Sequence, residues 1–128
     1  MLDTNIASFA IKGHPKVKEQ LLKLPMATIC ISSITAAELL RGVANKPEAK
    51  KLPLIVNEFL LRVETLPFDK DTAKIYAEFR TLCERNGKSL TAFDMLIASH
   101  SVAVNATLVS NDKAFFNTEL LDVIDWTV

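Results

Sequence analysis

Four acidic residues lie just after a short β-like run or in the first turn of a helix: Asp3 in MLDTN, Glu38 in ITAAELLRG, Asp94 in TAFDMLIASH and Asp112 in LVSNDKAFF. In a parallel sheet such junctions collect along the C-terminal edge of the strands, where the ligands of open α/β folds bind. Carboxylates crowded there repel and raise one another's pKa unless a cation or shared protons offset the charge. Oxygen donors without paired His or Cys select a hard ion, Mg²⁺ or Mn²⁺, over zinc. Such an ion suits hydrolysis or phosphoryl chemistry, because it acidifies and orients water and neutralises a phosphate. Thr4, Asn5, Ser110 and Asn111 flank the acids with hydroxyls and amides suited to orienting ligands or waters.

Each acid also has a plainer role open to it. Asp3 is well placed to cap the helix that follows, and Thr35 with Glu38 has the spacing of a capping box. Arg41, one helical turn beyond Glu38, either faces the same edge and grips a phosphate or belongs to a solvated or partner-contacting helix face. His100 lies six positions after Asp94 but has no second His or Ser at triad-like positions, which argues against a general base. His14, before Pro15, reads as a solvated turn residue, and Phe115, Phe116 and Trp126 as core or interface.

The elements that must position these residues alternate between strand and helix. Met1–Leu2 reads as the end of a short buried strand, with a helix through Ile6, Phe9 and Ile11 and a second over Lys16–Leu24 that turns Val17, Leu21 and Leu22 inward. Ala27–Ile31 is an apolar, β-branched run typical of a strand covered on both faces. Helical spacing resumes over Leu54–Val63, Glu64–Leu66 suits a brief edge strand, and Asp69 opens a long amphipathic helix that stops at Asn86–Gly87. Thr91 caps the next helix, Asn105 ends it, Thr107–Val109 is β-forming, and Val123–Ile124 suggests a closing strand. This order predicts an α/β/α sandwich with a mostly parallel central sheet, in one domain spanning 1–128. No glycine-rich phosphate loop is present, so a P-loop or dinucleotide fold has no support.

Fifteen basic residues balance 15 acidic ones, so no broad basic field advertises nucleic-acid binding by counterion release. A metal held by carboxylates supplies positive charge locally, so the balance counts against a plain binding module more than against an enzyme. With no apolar run long enough for a membrane span or signal peptide, the expected location is cytoplasmic. Cys30 and Cys83 sit in apolar runs and read as buried thiols.

MLDTN, ITAAELLRG, FDMLIASHSVAVNATLVSNDKAFF and the C-terminal IDW together resemble the PIN-domain ribonucleases, specifically the VapC-like toxins of bacterial toxin–antitoxin pairs, over essentially the whole chain. The resemblance matches Asp3, Glu38, Asp94 and Asp112 to the family's acids in order. It implies a PIN-like α/β/α fold, Mg²⁺- or Mn²⁺-dependent cleavage of structured RNA, with tRNA one candidate, a homodimer, and inhibition by a cognate antitoxin. In GKSLTAFD, Ser89 and Leu90 stand where relatives often carry Arg or Pro followed by Ile. Two alternatives come from other classes: a receiver-like phosphoacceptor domain, which also gathers acids at a sheet edge, and a non-catalytic PIN-like RNA-binding or interaction protein.

Overall fold

A parallel sheet only two or three residues deep organises the chain in the computed structural model, which describes residues 1–128. Strand β1 (Cys30–Ser32) pairs with β2 (Glu64–Leu66), and β3 (Leu108–Val109) with β4 (Val123–Ile124). Leu2 joins the halves by bridging Ile31 on one side and Val109 on the other, so the order is β2, β1, Leu2, β3, β4, all parallel. The Met1 ammonium donates to the Thr107 carbonyl at 2.8 Å, and the Val109 amide to the Met1 carbonyl at 2.8 Å.

The helices are α1 (Thr4–Lys12), α2 (Pro15–Lys23), α3 (Ser33–Ala44), α4 (Leu52–Arg62), α5 (Lys70–Arg85), α6 (Ala92–Ala103) and α7 (Lys113–Phe116). Side chains on a strand alternate between faces, and here consecutive residues enter different cores. Met1 and Leu108 pack with Phe79, Cys83, Met95, Ile97 and Phe115 under α5 and α6. Leu2 and Val109 pack with Ile6, Val17, Ile31, Val63 and Trp126 under α1, α2 and α4. Helices thus cover both faces, and each fully buried Ile or Leu contributes roughly 1.5–3 kcal/mol. No helix is long and apolar enough to cross a membrane.

Local signals set most boundaries. Asp3, Ser32, Asp69, Thr91 and Asp112 each cap a helix N-terminus by accepting from a backbone amide. Gly13 and Gly87 take positive φ at the ends of α1 and α5, and Asn105 does so at φ 55° after α6. Three expectations need correction. Met26–Thr28 forms a 3-10 turn where a strand over Ala27–Ile31 was expected, because the Thr28 hydroxyl and amide both donate to the Pro25 carbonyl and curl the segment away from the sheet. Leu22 points outward at 78% exposure, since Val17 and Leu21 already complete the inner stripe of α2. Thr35 and Glu38 form no capping box: Ser32 caps α3 three residues earlier, where β1 ends. His14 also proves to be a cap, accepting from the Val17 amide at 3.4 Å.

Candidate active site

Asp3 is the innermost of the four acids. Its backbone amide donates to Val109 O at 3.0 Å, closing the sheet, while its carboxylate accepts from the Ile6 amide at 2.9 Å, starting α1. Only 4% of the residue is exposed. Burial pushes its pKa up to about 6; hydrogen bonding from Ser110 and Ile6 opposes the rise, and the charges of Asp94 and Asp112 add to it.

Asp94 lies in the first turn of α6, placed there by the Thr91 hydroxyl, which accepts from the Asp94 amide at 3.2 Å. It is half-buried, and its pKa is raised, first by burial and also by Asp112, against hydrogen bonding from Thr91. Asp112 accepts from the Ala114 amide at 3.0 Å and donates its own amide to Ser110 Oγ at 3.0 Å. Ser110, fully buried, therefore links two of the acids from the end of β3.

Glu38 sits in the second turn of α3, half-buried, where the Thr4 hydroxyl donates to Oε1 at 2.5 Å and lies 3.4 Å from Thr35 Oγ1. Thr4 follows Asp3 directly, so this hydrogen bond ties Glu38 to the start of α1, next to Asp3 in the chain. Arg41, exposed, lines a groove with Glu38 and Phe93. Asn111 is half-buried and Asn5 exposed. Phe93 was not singled out in the sequence; its signal is an exposed aromatic, 54% accessible, immediately before Asp94 at a helix start. Thr35, fully buried beside Thr4, was read only as a cap.

The charges of Asp94 and Asp112 bear on Asp3 and that of Asp112 on Asp94, and none of the four acids takes part in the chain's ion pairs, which join Lys23 to Glu19, Arg62 to Glu58 and Arg80 to Glu84. The side chains do not close on a common point: no three His, Cys, Asp or Glu residues are drawn into a ready-made metal cage. An all-oxygen donor set of buried and half-buried carboxylates with no basic partner nevertheless fits a hard divalent cation.

His100 does not join the acids but bonds the residue that ends β1. Its Nδ1 lies 2.7 Å from Ser32 Oγ, its ring stands edge-on to Phe68, and burial holds its pKa down against the pull of Asp69. It works as a core tie between α6 and the β1–α3 junction.

The PIN domain family model matches residues 1–120. The chain is 40% identical to Ribonuclease VapC2 of Rickettsia felis, across 98% of this chain and 96% of the relative. It is 30% identical to the tRNA(fMet)-specific endonuclease VapC of Shigella flexneri, across 99% of this chain and 97% of the relative. The crystal structure of Rickettsia felis VapBC2 bound to a promoter DNA fragment superposes with a TM-score of 0.88 at 38% identity, covering 98% of this chain and 97% of the matched one. A receiver-like domain is thereby set aside, as is a reading without catalysis, since the full-length relatives are named as nucleases. Parallel strands, acids gathered at their C-terminal edge and likeness along nearly the whole length converge: the chain belongs to the PIN-domain family, among the VapC ribonuclease toxins of toxin–antitoxin systems.

Proposed function

We propose that the protein cleaves structured RNA endonucleolytically with Mg²⁺ or Mn²⁺ held by Asp3, Glu38, Asp94 and Asp112, and that residues 1–128 act as one unit. The observation that carries this reading is the buried Asp3, whose pKa is raised by burial and by the charges of Asp94 and Asp112, in a group of acids that no basic side chain pairs. Once bound, a divalent ion supplies charge neutralisation at a scissile phosphate and lowers the pKa of water. The chain's own part is orientation. Ile6 and Ser110 fix Asp3, Thr91 fixes the turn that carries Asp94, and Thr4 holds Glu38 toward the edge. Arg41, on the groove beside Glu38, is placed to pair with an RNA phosphate. Asn5 and Asn111 complete the polar rim available to substrate or water.

The tRNA-directed name of the Shigella relative makes tRNA the first substrate to try. The Rickettsia complex supports a cognate antitoxin as the protein partner, and a homodimer is the assembly we infer. Purified protein incubated with total tRNA should give discrete fragments with Mn²⁺ or Mg²⁺ and none with excess EDTA, with activity restored by re-added metal. Cleavage that persists through chelation overturns the mechanism.

Thr4→Val keeps shape but removes the donor to Glu38. Loss of a hydrogen bond that orients a ligand costs about 10–100-fold in activity or metal affinity, with little effect on folding. Cleavage should fall by about tenfold while the thermal midpoint moves by only a few degrees; an unaltered rate would show that Glu38 needs no such orientation.

A further inference from the structure

Two grooves meet on α3. One, of about 480 Å³, carries Arg41, Asn45 and Phe93; the other, of about 170 Å³, runs against α1 and α4 and carries Thr4, Lys12 and Lys46. Glu38 and Gly42 line both, and no other residue does. Standing one helical turn apart, they share a face of α3 and form the saddle between the grooves. Nothing rises from the saddle beyond Glu38, because Gly42 has no side chain.

The fold does not require that glycine. Of the chain's three, Gly13 and Gly87 take positive φ where α1 and α5 end, whereas Gly42 lies within α3 and does not. A Cβ added to Gly42 would meet open space, so no neighbouring element needs the gap. Glycine within a helix is nonetheless less stable than alanine, because it gives up more backbone freedom on folding. A residue that weakens its own helix and makes room for nothing inside the chain points to something outside the chain that passes close over it.

The surroundings indicate what passes. Lys12, Arg41 and Lys46 are exposed, and none of them enters an ion pair. In a chain with no net charge, three unpaired cations distributed on both sides of one saddle suit the phosphates of a nucleic acid strand. Phe93, 54% exposed in the first groove, offers a ring face on which an unpaired base can stack.

We infer that a single strand of the RNA crosses α3 over Gly42, its phosphates held by Arg41 on one side and by Lys12 and Lys46 on the other, with a base stacked on Phe93. The inference rests on the endoribonuclease reading above and adds the path of the substrate. The strand passes directly by Glu38, the acid that both grooves share, and Phe93 precedes Asp94 in the chain. The crossing segment is single-stranded because stacking on Phe93 needs a base free of its partner.

Binding is read by the fluorescence anisotropy of a fluorescein-labelled single-stranded RNA dodecamer of mixed sequence, with Mg²⁺ present and Asp94→Asn in every protein so that the strand stays whole. Gly42→Ala should raise the thermal midpoint by about 2–4 °C, alanine being the better helix former, and yet weaken RNA binding by about threefold. Gly42→Gln should weaken binding by more than about tenfold, again without loss of stability. A glycine that mattered only to its helix would move both measurements in the same direction. Lys12→Ala and Lys46→Ala should each reduce the slope of log Kd against log salt by about 0.7, the value of one phosphate contact on a single strand, while the Gly42 variants leave the slope unchanged. Phe93→Leu should weaken binding by about tenfold, and Phe93→Trp should bind as the parent does. The crossing is overturned if the parent does not bind the dodecamer, if neither lysine variant changes the slope, or if the Gly42 variants bind as the parent does, an outcome that would give the saddle to a protein partner. The two readings fail separately. With Asp94 restored, Gly42→Ala should raise KM for tRNA and leave kcat unchanged; metal-dependent cutting that ignores Gly42 defeats the crossing alone. The expected binding pattern in a protein that never cuts RNA defeats the nuclease mechanism alone.

Discussion

Asp3→Asn is expected to reduce RNA cleavage by more than about 100-fold and, in metal-free protein at pH 7.5, to raise stability by about 2 kcal/mol. The activity loss follows from removing the innermost carboxylate of the site. The stability gain follows from the pKa. Asp3 is raised from 3.8 to about 6, first by burial and then by Asp94 and Asp112, so the folded state holds the proton more tightly than the unfolded chain does. Its contribution is most favourable below the unfolded value near 4 and is lost as pH rises through about 6. A shift of about two units corresponds to ~3 kcal/mol at 1.36 kcal/mol per unit. Asn keeps the acceptor that caps α1 on the Ile6 amide, so most of that penalty is relieved without loss of the helix start. Urea denaturation in EDTA should therefore show the variant ahead at pH 7.5 and the difference shrinking toward pH 4. Mn²⁺ at about 100 times its Kd should reverse the order, stabilising the parent by about 2.7 kcal/mol and the variant far less. Asp94→Asn should behave alike with a smaller stability gain, because Asp94 is only half-buried. A variant less stable than the parent in EDTA at pH 7.5 would remove the electrostatic account.

The caps were legible in the sequence because a cap is a local event. Asp3 and Thr91 bond amides three residues ahead, and the side-chain types at those positions announce it. The four acids could be placed at the sheet edge from the order of elements, since each follows a strand or opens a helix. What could not be read was any partner distant in sequence. Glu38 had a plausible partner in Thr35, three residues away, but its acceptor is filled by Thr4, 34 residues earlier, because Ser32 at the end of β1 takes the cap first. The strand over Ala27–Ile31 was misplaced for a similar reason: its apolar character was right, but Pro25 sets a turn that no periodicity reports. Strands of two or three residues carry almost no alternation, so only Leu2, bonded on both sides, shows how the two halves become one sheet.

His100→Ala is expected to destabilise the fold by about 3 kcal/mol and to change the sign of part of its pH dependence. The imidazole is 1% exposed and ties three pieces together: α6 through its own backbone, the β1–α3 junction through Ser32 at 2.7 Å, and the turn before α5 through edge contact with Phe68 at 5.4 Å. Ser32 Oγ already accepts from the Ile34 amide, so its hydroxyl proton is free to go to Nδ1 of a neutral imidazole. Truncation opens a cavity and strands that hydroxyl inside the protein. Burial lowers the pKa of His100, against a smaller opposing pull from Asp69, so the neutral form is favoured in the folded state. A depressed histidine contributes stability that is fully present above the unfolded value of about 6.5 and is lost as pH falls through it. Asp3 slopes the opposite way, and the two partly cancel in metal-free parent protein as pH falls from 6.5. Removing the imidazole leaves Asp3 unopposed, so the variant should lose less stability on acidification than the parent, or gain. Urea midpoints between pH 5 and 8 measure this directly, and a parent–variant gap independent of pH would refute the neutral, buried state. The same tie bears on the reaction, because Ser32 starts the helix of Glu38 while His100 ends the helix of Asp94. Loosening it should lower kcat even at temperatures where the variant is fully folded.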